Sequence, residues 1–255
     1  MEDKLNGMDL VAGGGELTLG LTPWVTPVVY SEDRRACQAL LLSRMAEGIL
    51  PRAPIWGGDT SDLAGLFDAG IDIVCANLDG QDSGACNGEG MERERRNVLD
   101  QLVNLAAQIH PPFVFVVLPA GGNRLLARGA KALANIGFDT RFNTLSAAKA
   151  RLPGDNERQF LLGFRQSPEW NAWFKVKRAT LSRDQEAERC FECGEPRAVR
   201  GGLASLHIRE GFMRLMGIER VTDSLRRAAP AEFTKNADGE RLPSWAVWQD
   251  EQAMC

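Results

Sequence analysis

The sequence predicts a doubly wound α/β fold, and three observations carry that prediction. A short apolar strand, Met8-Asp9-Leu10-Val11-Ala12, runs straight into Gly13-Gly14-Gly15, a turn that lets backbone approach a ligand closely. Strands and helices then alternate up to about residue 165, which is the pattern of crossover-connected β-α-β units. The segment Phe113 to Leu118 is apolar without interruption, as a strand of a parallel sheet covered on both faces must be.

After the glycine turn, Val25 to Tyr30 reads as the second strand. Asp33 to Ala46 reads as a helix, because Ala36, Cys37, Leu40, Leu41 and Met45 recur near helical spacing. Ile71 to Ala76 is the third strand, and Asn97 to Ile109 is a helix that buries Val98, Leu102, Leu105, Ala106 and Ile109. Phe113 to Leu118 follows as the fourth strand, Leu125 to Ile136 as a helix and Gln159 to Phe164 as a further strand. Beyond Gln166 the periodicity gives way to a charged stretch with Trp170, Trp173, Cys190 and Cys193, read as a small irregular region of roughly 40 residues. Helix returns near Ile208 to Met216, and the tail holds Pro230, Pro243, Trp245 and Trp248 with little periodicity.

Length and composition fit this division. A chain of 255 residues, 44% hydrophobic and 25% charged, has room for one large domain and a smaller appendage. Its longest apolar stretch, Pro111 to Ala120, is far shorter than the roughly 18 residues of a membrane span, so no membrane is expected. Met1 to Gly7 lack the apolar core of a secretory signal, and six cysteines at this length are no disulfide framework, so a reducing, cytoplasmic setting is expected. The net charge of -4 argues against a protein that coats DNA. Local clusters remain at Arg93, Arg95 and Arg96, and at Lys175, Lys177 and Arg178.

A strand, a glycine turn and an acid after the next strand form a common constellation for a nucleoside. The glycines admit the ligand, and the carboxylate accepts hydrogen bonds from the ribose hydroxyls. Here those parts are Gly13, Gly15 and Glu32. A tight turn also requires glycine without any ligand.

The stretch from Asp9 to Leu21, DLVAGGGELTLGL, resembles the opening motif of the DNA cytosine-5 methyltransferases, D-L-F-A-G-x-G-G-L-x-L-G-L. Val11 stands where the family has phenylalanine, and Glu16 where it has the last glycine. Tyr30-Ser31-Glu32 and Ala53-Pro54-Ile55-Trp56-Gly57-Gly58-Asp59 are similar to the next motifs. The resemblance implies a Rossmann-like S-adenosylmethionine-dependent methyltransferase core with a reduced small lobe. It also implies a cofactor pocket formed by Val11, Gly13, Gly15, Glu32 and Asp59, with Glu32 at the ribose and Asp59 at the adenine. On this reading residues 1-166 form the methyltransferase-like domain, 167-204 a reduced target-recognition region, and 205-255 a helical segment and tail.

Methylation at C5 needs a thiolate that attacks C6 of a flipped-out cytosine. Counted from Ile71-Asp72, the family's Pro-Cys-Gln triplet falls on Asp79-Gly80-Gln81, so Gly80 occupies the nucleophile's position. Cys75 lies too early and reads as a buried small hydrophobe, while Cys86, in a glycine-rich loop near Arg93 that would favour its thiolate, is the better substitute nucleophile but is displaced by roughly six residues from the site. The family's Glu-Asn-Val has no counterpart, since Val117-Leu118-Pro119 holds no carboxylate. The segment Pro153 to Phe160 is similar to the arginine motif, with Glu157 and Arg158 retained and Asp155 and Asn156 in place of the preceding arginines. Leu206 to Ile218 resembles a late motif that orients the DNA-reading region.

The expectation is a cofactor- or DNA-binding relative that does not methylate cytosine on its own and binds DNA weakly unless a second methyltransferase subunit or another protein assists. One alternative is altered chemistry on a pyrimidine base that uses Asp79, Gln81 and Asp82 without a covalent adduct. A second is a decoy or scaffold for other proteins. No metal is expected, because Cys190 and Cys193 form half of a zinc knuckle and no second pair lies at suitable spacing. Trp170 and Trp173 with Lys175 and Lys177 could offer a stacking face to DNA, with core packing of the tryptophans at least as fitting.

Overall fold

In the computed structural model, residues 4-67, 70-79, 88-150, 152, 156-166, 202-216, 233-235 and 241-243 are described. Gly80, Gln81, Asp82, Cys86, Asp155, Trp170, Trp173, Lys175, Lys177, Cys190 and Cys193, singled out in the sequence, lie outside them.

The chain forms β1 (Leu5–Leu10), α1 (Glu16–Leu21), β2 (Val25–Ser31), α2 (Arg35–Ala46), β3 (Ile55–Trp56), a 3-10 turn (Thr60–Asp62) and α3 (Leu63–Leu66). It continues through β4 (Ile73–Asn77), α4 (Gly88–Ile109), β5 (Phe113–Pro119), α5 (Asn123–Asn135), β6 (Asp139–Ser146), β7 (Glu157–Phe164) and α6 (Gly202–Met216). A short ribbon, β8 (Phe233–Lys235) with β9 (Arg241–Pro243), stands outside the main sheet.

The main sheet has seven strands in the order β3-β2-β1-β4-β5-β7-β6. From β3 to β5 every neighbour is parallel, and β7 then runs antiparallel to both β5 and β6. This is the doubly wound, Rossmann-like α/β core expected from the sequence. The strand succession reverses between β1 and β4, and ligands of open α/β sheets bind at such a switch point, outside the carboxyl ends of the strands.

Both faces of the sheet are buried, and the two-residue period of a strand assigns each side chain to one of them. Val74, Ala76, Val114, Val116 and Leu118 pack under α4 and α5 with Leu99, Leu102 and Leu133. Ile73, Cys75, Phe113, Phe115 and Val117 face the other way, toward Leu17 and Leu21 of α1 and Ile208, Phe212 and Met216 of α6. A smaller cluster of Tyr30, Leu41, Met45 and Leu50 seats α2 beside β2.

Several elements depart from the sequence reading, among them the short β3, α3, β8 and β9, which it did not assign, and α6, which starts at Gly202 and not near Ile208. The helix predicted from Asn97 starts at Gly88, nine residues earlier, and α1 follows the glycine turn although its six residues are too few to show a period. The strand β6 escapes any alternation test because Asp139, Thr140, Arg141, Asn143 and Thr144 are polar. Its hydrogen bonds to β7 hold it, as suits a sheet edge.

Candidate functional site

The carboxyl end of β1 turns sharply. Val11 adopts φ 54, Gly13 φ 57 and Gly15 φ 86, all in the left-handed region. Such a conformation costs a β-branched residue about 1–3 kcal/mol, so the surrounding structure over-determines Val11. The amide of Ala12 donates to the Ser31 carbonyl (3.0 Å), and Gly15 N–H donates to the Ala12 carbonyl (2.8 Å), which closes the turn onto the end of β2.

The glycines serve different ends. A Cβ on Gly15 would lie 2.4 Å from a methyl of Leu50, so this position is glycine for packing and for φ, with no ligand required. A Cβ on Gly13 would meet Arg34 Nη2 at 3.9 Å and Glu16 Oε2 at 4.0 Å, so two side chains border this glycine without crowding it. Gly15→Ala is expected to destabilise the fold by roughly 1–3 kcal/mol, measured as a urea midpoint shift.

Glu32 follows β2 directly, and its side chain is fully buried. Its Oε2 accepts the Gly13 amide (2.7 Å), and its Oε1 accepts both the backbone N–H (3.0 Å) and Nε (2.9 Å) of Arg34. A longer contact joins Arg34 Nη2 to Oε2 (3.3 Å). Burial pushes this carboxyl up, but the hydrogen bonds from Arg34 and Gly13 outweigh it and hold the group below its ordinary range. The structure thus brings Gly13 and Glu32 together. Arg34 went unnoticed, although an arginine two residues after an acid is a visible signal.

Glu16, in the place of the family's last glycine, pairs with Arg44 (2.9 Å), which also donates to the Gly14 carbonyl. Asp59 is exposed, and its Oδ1 accepts the backbone N–H and hydroxyl of Ser61 (both 2.8 Å), capping the 3-10 turn. Beneath the loop, Asp9 is buried in β1 between Tyr30 and Cys75 on the neighbouring strands. Its Oδ2 accepts the Thr18 hydroxyl (2.6 Å), its Oδ1 has no hydrogen-bond partner, and burial pushes its pKa up to about 7.

Beyond the end of β4, the predicted catalytic candidates Asp79 and Arg158 come together in an ion pair through Asp79 Oδ2 and Arg158 Nε. Arg158 also donates to the Ala204 carbonyl of α6 (3.2 Å), so the pair ties β4, β7 and α6. Glu157 is exposed, and strand alternation turns it to the opposite face from Arg158. His207 lies buried close by, with Nε2 2.9 Å from the Leu145 carbonyl. Burial first, and then the Arg158 charge, lower its pKa and favour the neutral ring. Cys75 is buried within β4, and burial raises its thiol far above the ordinary range, in keeping with the core role expected of it. Among the described residues no cluster of ligating side chains could hold a metal ion, and no helix is long and apolar enough to cross a membrane.

No protein-family model matches the chain, and no curated protein matches its sequence. Solved structures share its fold. One is described as a DNA modification methyltransferase encoded within an E. coli prophage, with 18% identity, a TM-score of 0.48, and coverage of 64% of this chain and 47% of that one. The Dnmt2 methyltransferase of S. pombe has 16% identity and a TM-score of 0.48, over 64% of this chain and 50% of that one. The Entamoeba histolytica methyltransferase EhMeth has 9% identity and a TM-score of 0.49, over 65% and 54%. The chain spans about half the length of these structures, covering 47%, 50% and 54% of them. Each likeness is one of fold.

Proposed function

We propose that this chain binds S-adenosylmethionine at the carboxyl ends of β1 and β2, as a DNA cytosine-5 methyltransferase-like protein that does not carry out cysteine-dependent methyl transfer on its own. The observation that carries the reading is the bond from Gly13 N–H to the Glu32 carboxylate (2.7 Å), made beside the switch point. A buried carboxylate facing a glycine turn suits a ribose.

These residues fit the cofactor. Glu32 would hold the ribose hydroxyls, Asp59 the adenine, and the turn Val11 to Gly15 would border the sulfonium end. When bound, the cofactor supplies an electrophilic methyl group. The chain's own part is to fix the nucleoside and exclude water. The sequence register that puts Gly80 at the nucleophile's position supports the non-catalytic half of the reading, and the burial of Cys75 removes the nearest described thiol from candidacy. DNA contact and a protein partner that completes the reaction belong to the same proposal.

Calorimetric titration with S-adenosylmethionine tests it. Binding on the order of micromolar is expected. A wild-type chain that binds no adenosylmethionine overturns the pocket, and purified chain that methylates cytosine in DNA overturns the non-catalytic part.

A further inference from the structure

A carboxylate offers about four acceptor sites. In Glu32 four donors already occupy them: the Gly13 amide and three nitrogens of Arg34. The side chain of Glu32 is 0% exposed while that of Arg34 is 33% exposed, so the guanidinium is the group that covers the carboxylate from solvent. The same guanidinium reaches over the glycine turn, since a Cβ on Gly13 would lie 3.9 Å from Arg34 Nη2. Arg34 also precedes α2, whose first turns fix its backbone, and Gln38 Nε2 binds the Glu32 carbonyl (2.6 Å) to hold the acid's main chain in place.

We infer that Arg34 is a gate on the nucleoside pocket: it occupies the acceptor sites that a ribose diol needs, and the diol engages Glu32 only when the guanidinium leaves. This inference rests on the nucleoside reading of the site. The two hydroxyls of a ribose require two acceptor positions on the same carboxylate, and none is vacant while Arg34 is docked. Displacement is feasible because the Arg34 side chain is already part-exposed and can swing outward into water, whereas Glu32 and Gly13 stay tied to the sheet. Arg34 is therefore a specificity-determining residue. Docked, it removes most of the advantage that a ribose diol has over a sugar without hydroxyls. Undocked, it restores that advantage.

The test compares the wild-type chain with Arg34→Ala by calorimetry, using three probes: S-adenosylmethionine, adenosine and 2′,3′-dideoxyadenosine. Arg34→Ala is expected to bind S-adenosylmethionine roughly tenfold more tightly, because the competing charge-assisted bonds are gone. It is also expected to prefer adenosine over the dideoxy compound by about tenfold or more, where the wild type discriminates little. The diol preference is the decisive readout, since a pocket merely widened by a smaller side chain would admit both nucleosides equally. Arg34→Gln keeps much of the side chain's length and guards against a folding failure of the alanine variant. It is expected to shift both quantities in the same direction by a smaller factor.

If the wild type binds and shows the same diol preference as the variants, or if the variants bind no more tightly, the gate is overturned while the pocket stands. If neither the wild type nor any variant binds an adenosyl compound, the gate and the pocket fall together.

Discussion

Phe212→Ala is expected to destabilise the fold by about 3–5 kcal/mol, the range for emptying a buried aromatic site. Phe212 is fully buried on α6, with its ring 5.0 Å from that of Phe115 in an edge-on contact and 5.4 Å from that of Trp24. These contacts join α6 to β5 and to the segment after α1, at large sequence separations, so the lost ring leaves a cavity that local rearrangement cannot fill. Urea unfolding followed by tryptophan fluorescence measures the effect directly. An unchanged midpoint would mean that residues 202-216 do not share the core of the sheet.

Asp9→Asn is expected to stabilise the protein above pH 7, by on the order of 2–4 kcal/mol, and to have little effect near pH 4. Burial raises the Asp9 carboxyl from 3.8 to about 7. The folded state therefore keeps a proton that the unfolded chain releases. Stability contributed by the protonated form is complete below the unfolded value of 3.8 and is lost as pH rises through about 7. An asparagine amide can still accept the Thr18 hydroxyl, whose bond to Asp9 Oδ2 is 2.6 Å, and it carries no charge to desolvate. Urea midpoints of both proteins between pH 4 and pH 8 should diverge progressively, and a difference independent of pH would contradict the assignment.

Asp9 also illustrates how far the sequence alone could be followed. The strand that carries it, its glycine turn and the apolar strands β4 and β5 were legible because each is a local pattern: a two-residue period, a continuous apolar run, or glycines where φ must be positive. Glu32 could be singled out from its place after the second strand, and the structure bonds it to Gly13. Neither the buried state of Asp9 nor its raised pKa was visible, since both depend on the strands β2 and β4 that flank β1.

Local order therefore determined the β-α-β succession, the identity of the glycine turn and the acid that faces it, because propensity and periodicity act over a few neighbouring residues. Tertiary structure alone decided that a polar segment, Asp139–Ser146, becomes the edge strand of the sheet, held by backbone bonds to β7. It alone paired Asp79 with Arg158 across 79 positions of sequence and laid α6 against α1. It also folded the Arg34 side chain back onto Glu32, where the spacing of the two residues allows an ion pair and packing selects the rotamer that makes it. The reason is common to all of these: a charge or a polar backbone group is satisfied by whatever partner the packed chain brings within about 3 Å, and packing brings partners together without regard to their distance along the sequence.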